Sequence, residues 1–386
     1  VVGGQTNTVL PAIAELRGWD VNFLNIISGT AALLDGIGII IFARLSRKNS
    51  KVLAGVALLI SAVTLIAFGR VENLGVFCVL MFVLAICSGA YSSTCAMTLT
   101  ANWWPTKKGI VLGFTTMGIV AMNFLYVPMM PKLLGKLGLG GGMTVIAVLL
   151  IIVAIITTIC VKNNPEEAGE YPDGDPTYAV NGAEIAQMMK EYKSPFTIGK
   201  VLKDKNTWFI GLGSALAFMA VMSYIASAIP AMLAIGYAYT QASAIFAVGG
   251  IMGIVGSFIF GIIDQKIGTK KAFVVYFVFI IIGFVALLGM PKGLTFCWIS
   301  GVVIFAAQGA LCNLLPSYVA SKYGRWDYTA GYQVIGTIFE IGAGIGVMMT
   351  GFFAGNIMGM YIFDIVVLVI GLIFMALSSD KFIGKR

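Results

Sequence analysis

The sequence predicts an all-α membrane protein: twelve transmembrane helices, the first one truncated, in two parallel-repeat six-helix bundles. Three observations predict it. Apolar runs of 18 or more residues recur along the 386-residue chain, each long enough to cross a hydrocarbon core of ~30 Å. Hydrophobic residues make up 59% and charged residues 11%, against about 25% charged in a soluble domain. Landmark glycines and prolines also recur in order at an offset of about 220 residues.

The chain opens in an apolar, polar-dotted stretch, Val1 to Ile13, read as the end of a first span. Further spans are expected at 20–43, 52–69, 74–101, 109–131, 139–161, 206–233, 241–263, 272–290, 293–320, 329–355 and 357–378. The 47 glycines suit helices that pack closely through small residues. The stretch 162–205 holds six Lys and eight Asp or Glu, with Pro165, Pro172, Pro176 and Pro195, so it cannot cross. It divides the chain into 1–161, a linker 162–205 with a short amphipathic helix near 181–193, and 206–386.

The net charge of +8 is distributed by topology. All 25 Lys and Arg fall outside the spans, 20 on one side of the membrane and five on the other: Arg17, Arg70, Lys132, Lys136 and Lys292. The basic side is the cytoplasmic one by the positive-inside rule. Both termini are therefore expected in the cytoplasm and the protein in the plasma membrane. Nucleic acid is not the partner that this charge implies; the lipid bilayer is.

The repeat is read from four matches. Pro11-Ala12 with Gly18-Trp19 recurs as Pro230-Ala231 with Gly236-Tyr237; Gly36 matches Gly256; Gly89-Ala90 matches Gly309-Ala310; Gly113 and Gly118 match Gly331 and Gly336. An even number of spans per copy gives both copies the same orientation, with a solute site expected between them near the midplane.

Two loops carry a family resemblance. The loop after span 8, Gly261-Ile-Ile-Asp264-Gln-Lys266-Ile-Gly268-Thr-Lys270-Lys271, resembles the acid, glycine and paired-base gating loop of the major facilitator superfamily. Its counterpart after span 2, Arg44-Leu-Ser-Arg47-Lys48-Asn-Ser-Lys51, keeps the bases but sets Arg44 opposite Asp264. The second loop, Trp103-Trp104-Pro105-Thr-Lys107-Lys108-Gly109, is similar to that of the monocarboxylate porters and oxalate:formate-type antiporters in the same superfamily. The linker start, Pro165-Glu-Glu-Ala-Gly169-Glu-Tyr-Pro172-Asp173-Gly174, resembles theirs too. The resemblance implies a secondary carrier of a small organic acid working by alternating access, coupled to protons or a counter-anion. Such relatives place Arg in span 8 or Lys in span 11, and this chain has neither. The alternative is a carrier of larger amphipathic solutes, bile-acid-like or drug-like.

Acids inside spans are expensive and mark function or packing. Three occur: Asp35 in span 2, Glu340 in span 11 and Asp364 near the outer end of span 12. In a chain with no His, Glu340 and Asp35 are the candidates for proton coupling, Asp35 equally for gating or helix packing. Asn7, Tyr91, Asn123, Tyr126, Tyr224, Gln308, Asn313 and Gln333 are the candidate solute-binding residues, each alternatively an interhelical hydrogen bonder. Asn123 and Tyr126 are three apart and Gln333 and Glu340 seven apart, so each pair shares a helix face, and the two faces are expected to oppose each other across a cavity.

Enzymatic chemistry is not expected. Without His there is no Ser/His/Asp triad; Gly140-Gly141-Gly142 precedes a span rather than a phosphate-binding turn; no Walker loop supports an ATP-driven pump. The six cysteines lie unpaired in apolar stretches and are read as buried, inert thiols. No metal or cofactor is expected, and a carrier with its site inside one chain is expected to be monomeric.

Overall fold

With no water in hydrocarbon to satisfy backbone polar groups, apolar segments of this length form helices. The computed structural model describes residues 9–105, 108–176, 188, 191–353 and 355–384, excluding the side chains of 108–110, 119–125, 127 and 128. Among the described residues, eight helices are long and apolar enough to cross a membrane. Three helices, Val21–Phe68, Lys108–Cys160 and Leu294–Phe352, run 48, 53 and 59 residues. At 1.5 Å per residue they would span roughly 70–90 Å if straight. Each breaks in the middle and makes two crossings.

Two breaks need glycine. Gly138 and Gly324 adopt φ +67° and +69°, the left-handed region that other residues enter only at a cost. The third break is an asparagine, Asn49, whose Oδ1 accepts from Val52 N at 3.3 Å and so caps the next helix.

The helices are α1 Val9–Arg17, α2 and α3 (21–48 and 50–68), and α4 from Leu74 to Trp103. Then come α5 and α6 (108–137 and 139–160), α7 Lys205–Ile235, α8 Tyr239–Ile267 and α9 Thr269–Leu287. Last are α10 and α11 (294–323 and 325–352) and α12 Ile357–Leu377. The expected amphipathic helix near 181–193 lies almost wholly outside the described residues.

The repeat is visible in packing. A Cβ added to Gly38 would meet Ile86 O at 2.4 Å, and one on Gly256 would meet Ala306 O at 2.1 Å. One on Gly89 would meet Asp35 O at 2.3 Å, and one on Gly309 would meet Gly253 O at 1.9 Å. So α2 crosses α4 as α8 crosses α10, backbone on backbone. This geometry corrects two alignments. The partner of Gly256 is Gly38, not Gly36, and Ser46, not Arg44, stands where Asp264 stands. The second copy is two residues longer between these glycines, so a single offset slips there.

Two large buried clusters and a small third one at Ala57, Cys87 and Ala90 form the core: one large cluster of residues from Val9 to Ala147, the other mainly of residues from Val201 to Met375. Between them α2 packs on α11 and α5 on α8. The six cysteines are free thiols; Cys160, expected buried, is exposed, because it ends the lipid-facing helix α6.

Candidate functional site

Asp35 and Glu340 meet across the interface between α2 and α11. Each lies midway along its crossing, and each is half-buried rather than sealed. A Cβ on Gly36 would stand 3.6 Å from Glu340 Cβ, and Thr337 Oγ1 donates to Gly36 O at 3.0 Å. The two carboxyls are within electrostatic reach of each other, with Ser88 beside Asp35 and Ser93 beside Glu340. Tyr91 and Tyr332 lie within the same reach, Tyr91 of Asp35 and Tyr332 of both acids.

Helix α4 supplies three of these neighbours through a local irregularity. Residues Gly89–Ala96 wind as a π-helical turn, inside which Thr94 Oγ1 donates to Gly89 O at 2.8 Å. Such turns shift the side chains that follow and recur at functional sites. Gly89 also lets the α4 backbone lie against Asp35, whose Oδ1 is 2.9 Å from the place a Cβ would take.

The remaining candidates divide. Gln333 is half-buried on the α11 face that carries Thr337 and Glu340. Tyr126 belongs to the N-terminal core with Leu10, Phe77 and Met130. Tyr224 is enclosed by Phe246, Phe284 and Phe305, ring centroids 6.4, 6.4 and 5.9 Å away, inside the other core. Gln308 and Asn313 are sealed in α10, and Asn313 Nδ2 donates to Ser257 O at 3.1 Å. Ser257 in turn bonds Gly113 O at 2.9 Å and Thr116 at 2.8 Å, tying α8 to α5. Asn7 and the Asn123 side chain lie outside the described residues. Gly113 of α5 accepts from Ser257 of α8 and Gly36 of α2 from Thr337 of α11, so α5 packs on α8 and α11 on α2, while the expected Asn123 face of α5 lies outside the described side chains.

The gating-loop residues cluster at the face where the linker runs. Asp264, buried in the last turn of α8, accepts from Ser317 of α10. Lys270 is half-buried, while Lys271 and Arg44 are exposed.

Sequence reasoning missed a polar seal on this face. Arg325, after the Gly324 break, grips Glu166 of the linker through both terminal nitrogens at 2.8 and 2.9 Å. Tyr192 donates to Asp327 at 3.2 Å, and Arg47 is within electrostatic reach of Asp327. Thr98 and Thr329 touch at 3.4 Å. Ser46, Arg47, Asn102, Asn163, Tyr192 and Arg325 line a small polar cavity of about 40 Å³. Arg325 and Asp327 were legible as a charged turn between spans, but nothing in their spacing named Glu166 as the partner.

Comparison with known proteins decides the family. The family model described as Major Facilitator Superfamily matches residues 3–347. The chain belongs to the Major Facilitator Superfamily. It is thus a multi-pass integral membrane transporter of small-molecule solutes and not an enzyme. Among solved structures, the human organic anion transporter MFSD10 (TETRAN) superimposes with a TM-score of 0.70 at 11% identity, over 96% of this chain and 89% of that one. The proton:xylose symporter XylE bound to 6-bromo-6-deoxy-D-glucose gives 0.69 at 13% identity, over 97% and 92%. At these identities the likeness shows the twelve-helix fold. No curated protein matches the sequence.

Proposed function

We propose that this superfamily member is a proton-coupled carrier of a small organic acid, alternating access between two halves, 1–161 and 206–386, joined by the linker 162–205. The observation that carries the proposal is the Asp35–Glu340 pair: two acids at mid-depth, one from each half, with no Lys or Arg in any span. Carboxylates within electrostatic reach of each other repel, which favours a proton on the pair. An anionic solute entering between them binds well only when the pair holds its protons, so proton and solute binding reinforce each other. A counter-anion offers no such use for the pair.

The solute class rests on the porter-like loops around Trp103-Trp104-Pro105 and Pro165 and on the organic anion transporter among the structural relatives. A second reading, a larger amphipathic solute, is favoured by one observation: the described side chains beside the acids include the hydroxyls of Ser88 and Ser93 and the phenols of Tyr91 and Tyr332. The 20-to-5 bias of Lys and Arg supports cytoplasmic termini and a linker face toward the cytoplasm. A site within one chain supports a monomer.

A thermal-shift comparison of lactate, oxalate and cholate tests the class, since a ligand of the folded state raises Tm by mass action. Stabilisation by lactate or oxalate that strengthens on the acid side of neutrality is the expected result. Stabilisation by cholate alone replaces the organic-acid reading with the amphipath one.

A further inference from the structure

The third acid within the spans has no place in this coupling scheme. Asp364 lies on α12, fully buried against α7 within the C-terminal core, and not at the interface of the halves. Its Oδ2 is in close contact with Ser223 Oγ. Ser223 Oγ also lies 2.9 Å from Ala220 O. One turn on, Ser227 Oγ donates to Ser223 O at 2.6 Å and lies 2.9 Å from Tyr361 Oη. Asp364 Oδ1 meets no donor among the described residues.

Counting hydrogens on these oxygens fixes the arrangement. A serine hydroxyl has one hydrogen to give. If Asp364 were ionised, Ser223 would have to donate to the carboxylate, leaving its contact with Ala220 O without a hydrogen. A proton on Asp364 Oδ2 donates to Ser223 Oγ, which donates on to Ala220 O, and both contacts are made. The neighbouring pair has the same sense: Ser227 gives its hydrogen to Ser223 O, so Tyr361 donates to Ser227. No donor is left over for Oδ1. An orphaned oxygen on a buried carboxylate is far more costly than an orphaned carbonyl oxygen on a neutral acid.

The surroundings offer no counter-charge. The titratable groups facing this network are Tyr361 on α12 itself, Tyr224 from α7 and Cys297 from α10. From α9 the contact is the ring of Phe284, 6.5 Å from that of Tyr361. No Lys or Arg lies within any span. Ser223, Ser227, Tyr361 and Tyr224 are each no more than 4% exposed, so no side chain of the network opens a path from Asp364 to water.

We propose that Asp364 is a proton-binding site within the C-terminal half, occupied by a resident proton that is not exchanged during transport and that ties α12 to α7 as a neutral acid. It is separate from the Asp35–Glu340 pair, and its failure would leave the proposed function untouched. A bound alkali cation is the competing occupant.

The test is infrared spectroscopy of the purified full chain, observing the carbonyl stretch of protonated carboxylic acids. In a D35N/E340Q background one such band is expected to persist on both sides of neutral pH and to vanish on adding Asp364→Asn. Asp364→Asn preserves the donor to Ser223 and is expected to fold. Ser223→Ala, which removes the acceptor but keeps the acid, should shift the band without abolishing it. Proton-driven uptake in the otherwise native chain is expected to survive Asp364→Asn. Any of three results overturns the proposal: no Asp364-dependent band; a rise of Tm with sodium over potassium that Asp364→Asn removes; or an Asp364 band that disappears just above neutrality together with loss of coupling in Asp364→Asn.

Discussion

Arg325 holds Glu166 in a two-pronged ion pair with side chains only 10% and 3% exposed, joining the turn between α10 and α11 to the first residues of the linker. The linker start is itself anchored to the first half. Asn163 Oδ1 accepts from Lys51 N at 3.0 Å, Asn163 Nδ2 donates to Asn49 at 3.1 Å, and Trp103 Nε1 donates to Lys162 O at 3.1 Å. The pair therefore fastens one half to the other.

Breaking this pair should loosen the linker face. Arg325→Gln leaves Glu166 buried without its cation, a loss of about 3–5 kcal/mol for a buried pair, and Arg325→Lys keeps the charge but not the fork. In a variant with the six native cysteines replaced, a cysteine at Thr98 is expected to label slowly with a hydrophilic maleimide. Arg325→Gln should speed labelling markedly and Arg325→Lys partly. Equal rates in all three would show that the pair does not hold the face shut.

The glycine crossings should be unforgiving where backbones touch. Gly309→Ala would set a methyl 1.9 Å from Gly253 O, on backbone that cannot step aside. A loss of about 1–3 kcal/mol or more is expected from overpacking, read as a lowered Tm in detergent. Gly135→Ala, with nothing within 4 Å of the added carbon, should leave Tm unchanged or slightly higher.

Asp204 gives the linker face an acid sensitivity. Burial works against its ionisation, but hydrogen bonds from Lys322 Nζ at 2.8 Å and from Asn206 N at 3.0 Å outweigh it and hold the carboxyl below its ordinary value. A depressed folded pKa contributes stability that is complete above the unfolded pKa and lost as pH falls through the folded one. Asp204→Asn should therefore lower Tm at neutral pH by the equivalent of about 1 kcal/mol, discounted for solvent at Asp204. The gap from the native chain should close as the medium becomes strongly acidic. A gap that is constant with pH would assign the loss to capping of α7 alone.

The fold was legible because the signal is collective. Eleven apolar runs and the charged linker place the helices, and the breaks at Gly138 and Gly324 fall in the gaps between expected spans. The site was legible in part. Asp35 and Glu340 stood out because ionisable groups are rare inside spans, but their meeting depends on Gly36 admitting α11, a tertiary fact. Tyr224 and Asn313 show the reverse limit: a polar residue at mid-depth looks the same in sequence whether it lines a cavity, is ringed by phenylalanines as Tyr224 is, or braces a helix contact as Asn313 does. The π-helical turn at Gly89–Ala96 carries no periodicity of its own, so Ser93 escaped notice. The alignment of Arg44 with Asp264 slipped because a two-residue difference between the copies leaves no trace in composition.

The central claim is that Asp35 and Glu340 carry the coupled proton. It is tested most directly in proteoliposomes under an imposed proton gradient, following accumulation and counterflow of whichever of lactate or oxalate stabilises the protein more. Glu340→Gln and Asp35→Asn are each predicted to abolish gradient-driven accumulation while leaving counterflow exchange largely intact. Undiminished accumulation in Glu340→Gln would contradict the account.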